Sequence, residues 1–368
     1  MAVIQTDSAL EIVASEQRKI ETRPDGAVVI SYHDLVSGAE SLVPSITQAF
    51  GDAAECLGLI IVKDLPQKYK ELRESTLLLA DRFAALDEQT KEKYTDPASQ
   101  YSFGWSHGKE IMNGKPDTLK GSYYANITLP EAIEPSAAQK SAFPQYYSDN
   151  IWPSADEKGV GGFEDSFKSL GQFIFSVGCL LARACQPFVS TVMRDQSSSL
   201  YDLIAKSGTV KARLLHYFPP KNNDISEDEP HDNACGYHLD HSMLTGLCSA
   251  MYLAHNGTSA PIPVPSPSPV SGLYIKTRGG QVVKASIPED CLAFQTGEAL
   301  QVATDGLLRA TPHYVRVGEN SQNVSRETFA LFMGPDTEQK ISETETFGEF
   351  SKRKFDEHYA APDDAVVS

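Results

Sequence analysis

The chain lacks most of the features that assign a class at a glance. Its six cysteines, Cys56, Cys179, Cys185, Cys235, Cys248 and Cys291, are scattered with no C-x-x-C pair, which excludes a disulfide framework and a structural zinc knuckle and leaves reduced, mostly buried thiols. Basic residues are in deficit: 32 Lys and Arg against 49 Asp and Glu give a net charge of -17, the wrong sign for a nucleic-acid backbone or an anionic membrane as partner. No run approaches the roughly 18–20 apolar residues of a membrane span. The first thirty residues carry no basic stretch followed by an apolar block, so no secretory leader is expected and a soluble cytoplasmic protein is. On that expectation the N-x-S/T triplets at Asn126, Asn256 and Asn323 carry no weight. Internal repeats and a helix-turn-helix are also missing. At 368 residues the chain is long enough for one large core or two modest ones.

What is present divides the sequence into two textures. Residues 1–26 mix charged and small polar residues and read as a loosely held arm. Within 27–207, Val28–Tyr32 and Leu59–Val62 read as strands, and Ser45–Cys56 as a helix ending before Gly58. Lys68–Tyr94 has helical periodicity up to the Asp96-Pro97 break. Phe163, Phe167, Leu170, Ile174, Val177 and Leu181 recur at steps of three and four and mark a long amphipathic core helix. Between these helices, Ala98–Ile127 is rich in Tyr, Gly and Ser and reads as a long loop. Loops of that length are often functional, which makes Tyr101, Trp105 and Tyr124 candidate walls of a substrate pocket; the competing view is that they only anchor the loop.

From about residue 208 the texture becomes short β-like runs: Ala212–Phe218, Met243–Leu253, Leu273–Thr277, Val282–Ile287, Cys291–Gln295, Val315–Val317 and Phe329–Met333. Arg278-Gly279-Gly280 supplies a hairpin turn, and Pro261–Pro269 an extended connection. Many short strands at this spacing predict an antiparallel sandwich or barrel over 208–340. The tail, 341–368, is charged and reads as one helix followed by disorder.

One constellation carries chemistry. In His238-Leu239-Asp240 the two polar side chains are two residues apart, and on a strand such residues point the same way and can reach one ion. A lone His313 follows in Ala310-Thr311-Pro312-His313, placed for a neighbouring strand. Two histidines and one carboxylate on one face of a metal leave its other positions open, the pattern of a non-haem Fe(II) oxygenase. His241, next to Asp240, is expected on the opposite face. His231 and His255 are expected in solvent. Arg326 precedes the apolar Phe329-Ala330-Leu331-Phe332, so it lies on a core strand where a guanidinium needs an anion.

These residues resemble the isopenicillin N synthase-like branch of the 2-oxoglutarate and Fe(II)-dependent oxygenases, whose signature is H-x-D, a remote H and R-x-S. Gly58–Lys63 is similar to the family's early buried strand, Asn150-Ile151-Trp152-Pro153 to its N-x-W-P segment, and Lys211–Pro220 to its strand entering the core. The resemblance implies an α+β fold with a double-stranded β-helix, or jelly-roll, core flanked by helices and preceded by a mixed helical region. It also implies Fe(II) on His238, Asp240 and His313, and 2-oxoglutarate held by Arg326 and by Thr328, which stands where R-x-S has Ser. The family's N-x-Y pair falls on His216 and Phe218; since Phe has no hydroxyl, Tyr217 and His216 are the residues expected to complete that half of the site.

The activity so implied consumes O2 and 2-oxoglutarate, releases succinate and CO2, and hydroxylates, desaturates or cyclises a small polar metabolite such as an amino acid derivative. Secondary metabolism is the expected setting, and ring closure of a prenylated amino acid, as in kainoid biosynthesis, is its most specific version. The partner is a small molecule, not nucleic acid or membrane. Two alternatives stay open: an oxidase that needs no 2-oxo acid, like isopenicillin N synthase itself, and a jelly-roll sensor that keeps the metal without turnover.

Overall fold

The run Leu59–Val62 is apolar on both faces, and the layering of the molecule explains it. The computed structural model describes residues 19–38, 40–109, 111–112, 115–193, 197–219, 235–257, 260–318 and 323–359. Ile60 and Val62 pack into a cluster shared with helices, whereas Leu59 and Ile61 face a second cluster enclosed between two sheets. A strand buried on both sides needs no polar alternation.

In chain order the first half gives β1 (Glu21–Thr22), β2 (Val28–Ser31), α1 (Tyr32–Ser37), α2 (Val43–Phe50), β3 (Leu59–Lys63), α3 (Lys68–Ala84), α4 (Glu88–Glu92), β4 (Gly104–His107), β5 (Ile111–Met112), β6 (Lys115–Pro116), β7 (Lys120–Asn126), α5 (Ala137–Ala142), α6 (Pro144–Tyr147), α7 (Phe163–Val189) and α8 (Leu200–Ala205). The second gives β8 (Lys211–Tyr217), β9 (Cys235–His238), β10 (Leu244–Cys248), β11 (Met251–Ala254), β12 (Ile262–Val264), β13 (Gly272–Lys276), β14 (Val282–Ala285), β15 (Leu292–Thr296), α9 (Glu298–Ala303), β16 (His313–Arg316), β17 (Val324–Met333) and α10 (Phe347–Tyr359). The main sheet runs β1-β2-β3-β15-β10-β17-β8-β7-β4, with β11 and β12 added beside β17. A smaller sheet runs β14-β13-β16-β9. The described pairings are antiparallel except β2 with β3. Together the two sheets make the expected jelly-roll core, open rather than closed into a barrel, with helices on the outer face of the main sheet.

The long helix α7 is the spine of that outer layer. Phe167, Leu170, Ile174, Val177 and Leu181 are fully buried, and α7 packs on α2, α3, α8, β10 and β17. Among the described residues it is the one helix long and apolar enough to cross a membrane, and half of its most apolar window is buried inside the protein, as in a core helix.

Several expectations need correcting. Ala98–Ile127 is not a loop: β4 and β7 lie in the main sheet, with β5 and β6 as a small hairpin between them. Since β7 pairs along its length with β8, the main sheet crosses the expected boundary at 207/208. The single helix expected over Lys68–Tyr94 is two, because Asp87 caps a new helix by accepting from the Thr90 N–H. Helix α2 stops at Gly51, well short of Cys56. The run Met243–Leu253 breaks into β10 and β11. Within the expected arm, Glu21–Thr22 pairs with Val28–Val29, while residues 1–18 lie outside the described residues. The expected tail helix is α10; residues 360–368, like His231, lie outside the described residues.

Candidate functional site

The small sheet brings the metal-ligand candidates together. His313 on β16 lies directly opposite His238, the last residue of β9. The strand ends there, so Asp240 reaches the site from the following turn and not through strand alternation; that turn is closed by the Glu298 N–H donating to the Asp240 carbonyl at 2.7 Å. Asp240 Oδ1 lies 3.7 Å from His238 Nε2 and 3.8 Å from His313 Nε2, and the imidazole centroids are 4.3 Å apart. Each Nδ1 donates to a backbone carbonyl, His238 to Gly236 at 2.7 Å and His313 to Thr311 at 2.9 Å. That turns both Nε2 atoms toward Asp240 Oδ1 in the tautomer a metal requires, with the Gln295 amide nitrogen 3.1 Å from His313 Nε2.

Electrostatics agree with the geometry. Burial, reinforced by the neighbouring His238, pushes the His313 imidazole down to about 4, so it stays neutral and able to ligate. Burial alone would raise the Asp240 carboxyl, but His313, His238, Thr245 and Gln295 together hold it below the usual range. Gln295, fully buried on β15, donates to Asp240 Oδ2 at 2.6 Å. Its one trace in the sequence is an amide after the apolar Leu-Ala-Phe of the Leu-Ala-Phe-Gln-Thr strand.

Two cavity lobes, each of about 240 Å3, share His238 and Asp240 in their walls. The first lies between the sheets and is lined by Leu215, Tyr217, Leu273, Arg326, Thr328 and Ala330 among others. Arg326 is 9% exposed, yet its Nε and Nη1 are buried with no hydrogen-bond partner among the described residues. Its guanidinium sits 4.8 Å from the Tyr217 ring, directly across the β8–β17 pairing. A buried guanidinium with vacant donors facing a cavity calls for an anion, and a carboxylate fits its planar fork. Thr328 lines the same lobe, its hydroxyl donating to the Cys248 carbonyl at 3.3 Å.

His216 is a correction. Alternation along β8 turns Leu215 and Tyr217 into the lobe and His216 away from it, where its Nδ1 meets Glu327. Tyr217 therefore lines the co-substrate lobe, and Phe218, edge-on against His216, does not.

The second lobe opens on the other side of the ligand triad. Tyr101 and Tyr124 line it, joined by Tyr146, Lys211, Phe347 and Phe355. Trp105 does not: it is 5% exposed and packs in the core against Phe83 and over Gly121, so here the anchoring role holds. Lys211 is buried, donating to the carbonyls of Ser102 and Gln145 with Nζ 3.8 Å from the Phe103 ring centroid. Burial drives its amine far below the usual lysine range. His241 lies near Glu298 and Phe350 and borders this lobe.

No protein-family model matches the chain, and neither does any curated protein. Solved structures do. A full-length Neurospora crassa protein, solved in complex with alpha-KG and 5-formyluracil, is 20% identical over 87% of this chain and 89% of that one, with a TM-score of 0.59. A Caulobacter crescentus protein assigned to the 2OG-Fe(II) oxygenase family is 20% identical over 90% of this chain and 99% of that one, with a TM-score of 0.62. JOX2, in complex with 2OG, Fe and JA, is 13% identical over 88% of this chain and 83% of that one, with a TM-score of 0.56. With its helix-flanked jelly roll and its His238–Asp240–His313 triad, the chain has the fold of the 2-oxoglutarate and Fe(II)-dependent oxygenases.

Proposed function

We propose that this chain is an Fe(II)- and 2-oxoglutarate-dependent dioxygenase acting on a small metabolite. The observation that carries the proposal is the unpartnered Arg326 guanidinium in the same cavity as the His238–Asp240–His313 triad. The triad would hold the iron, and Arg326 with Thr328 would hold the distal carboxylate of 2-oxoglutarate beside Tyr217. Once bound, the pair supplies O2 reduction coupled to decarboxylation of 2-oxoglutarate to succinate and CO2, with removal of a hydrogen atom from the substrate. The protein's own part is placement. Gln295 holds the Asp240 carboxylate, the backbone carbonyls of Gly236 and Thr311 hold the imidazoles, and Leu215, Leu273 and Ala330 keep bulk water from the co-substrate lobe.

The second lobe supports a compact substrate with an apolar or ring portion against Tyr101, Tyr124 and Tyr146 and a polar group toward Lys211, in keeping with a small polar metabolite. Which substrate carbon lies beside the metal decides between hydroxylation, desaturation and ring closure. JOX2 and the Neurospora crassa protein are each solved with a small molecule named beside the co-substrate, which fits a two-lobed site.

The test is an anaerobic titration of Fe(II)-loaded protein with 2-oxoglutarate. A weak visible charge-transfer band is expected in the wild type and should be absent in both Arg326→Ala and His238→Ala. Iron binding with no band would sink the co-substrate assignment and bring forward the 2-oxo-acid-independent oxidase or the non-catalytic module.

A further inference from the structure

Behind the co-substrate lobe, on the other face of the same two strands, lies a cluster that the proposed reaction does not use. Alternation that turns Tyr217 and Arg326 inward turns their neighbours His216 and Glu327 toward α3. His216 Nδ1 is 2.9 Å from Glu327 Oε2, and Ser325 Oγ donates to Glu327 Oε1 at 2.6 Å. His255, just past β11, places Nε2 at 2.9 Å from Ser325 Oγ and 3.3 Å from Asp81 Oδ1 on α3. His255 is thus not the solvent-facing residue that the sequence suggests. Asp81, His216 and Glu327 each offer a ligand atom within 4.8 Å of the others, and their side chains are 7%, 5% and 0% exposed.

Two buried carboxylates this close need compensating positive charge or a bound proton, and burial, with Asp81 nearby, pushes the Glu327 carboxyl up. Among the described residues no lysine or arginine forms an ion pair with Asp81 or Glu327. One divalent ion held by Asp81, His216 and Glu327 would offset both charges. Their ligand atoms lie within 4.8 Å of one another, and bonds of roughly 2.0–2.2 Å would draw them to about 3.3–3.6 Å. His255 Nε2, 3.3 Å from Asp81 Oδ1, stands beside that carboxylate. Imidazole and carboxylate donors suit zinc among the borderline divalent ions.

We propose that Asp81, His216 and Glu327 form a second divalent-metal site, structural in role and suited to zinc, which ties α3 to β8 and β17, with His255 at the end of β11 holding Asp81 from outside. Access is from the His255 side, where the side chain is 28% exposed. The site is independent of the oxygenase reaction, and its test does not depend on that reaction.

Full-length protein is stripped with a chelator, reloaded anaerobically with zinc, passed through gel filtration and assayed for metal per chain. Two ions are expected in the wild type. One should remain in the His238→Ala/Asp240→Ala double variant, and one in Glu327→Gln, with far-UV circular dichroism confirming that both variants are folded. Zinc should also raise the Tm of the triad double variant. A double variant that retains no ion and shows no zinc-dependent Tm overturns the proposal, as does a Glu327→Gln protein that still holds two. If Glu327→Gln does not fold, the triad double variant decides alone.

Discussion

Gln295 shows how much of the triad's geometry depends on a residue that touches no metal. Its amide donates to Asp240 Oδ2 at 2.6 Å from inside a strand with no solvent access, so it alone restrains that carboxylate oxygen from the β15 side. Replacing such an outer partner typically costs about 10–100-fold in metal affinity. Gln295→Leu, similar in volume, should therefore weaken Fe(II) binding by about that factor while leaving the fold intact; an unchanged affinity by competition with a chelator would show that Asp240 is held without it. His313 gives a pH prediction at the same scale. Its folded pKa, about 4, lies below the ordinary histidine value of 6.5, so the folded state binds fewer protons, and stability is present above 6.5 and declines as pH falls toward 4. Metal-free wild type should lose Tm over that window more steeply than His313→Gln, and parallel melting profiles would contradict the burial of a neutral imidazole. The triad itself was legible because H-x-D followed by a lone His is a spacing. Gln295 was not, because nothing in sequence order links it to Asp240, 55 residues earlier. His216 and Tyr217 were separable only by the parity of β8, which a one-residue uncertainty in register reverses.

At the scale of elements, the sheet and α7 are pressed together through glycine. A Cβ on Gly246 of β10 would lie 2.4 Å from Ile174 Cγ2 on α7 and 3.0 Å from the Phe294 ring. Such a contact forces side chains out of their rotamers at a cost of about 1–3 kcal/mol. Gly246→Ala should be destabilised by that amount in urea unfolding with an unchanged m-value; no loss would mean that α7 stands further off the sheet. The long helix announced itself by its three-four spacing of large apolar residues. Strands β4 and β7 did not, because buried polar residues alternate there with the core side chains Trp105, Tyr123 and Ala125. Lys120 is 3% exposed and paired with Asp117, and Ser122 accepts from the Arg213 guanidinium at 2.8 and 3.0 Å. A hydrophobicity pattern does not register a strand whose second buried face is a lysine and a serine. The break between β10 and β11 was hidden for a related reason, since Ser249 and Ala250 interrupt the ladder without changing the apolar character of the run.

On the scale of the whole molecule, the ligands of the proposed reaction join layers that the chain keeps separate. His238 and His313 belong to the small sheet, Arg326 and Thr328 to the main one, and the first lobe lies between them. A metal on the triad therefore restrains one layer, whereas a 2-oxo acid reaching from that metal to Arg326 spans both. Binding to the folded state alone stabilises by RT ln(1 + [L]/Kd), about 2.7 kcal/mol at a hundredfold excess over Kd. In a domain of this size that corresponds to a few degrees in Tm. Mn(II), a redox-silent stand-in for Fe(II), should raise the Tm of wild type and of Arg326→Ala alike. Adding 2-oxoglutarate should give a further increment only in the wild type, and only with metal present, because the anion's two ends rest on different sheets. An equal 2-oxoglutarate increment in Arg326→Ala would place the acid elsewhere in the cavity. An increment without metal would mean that Arg326 holds the anion by itself, and that the two sheets are not joined through it.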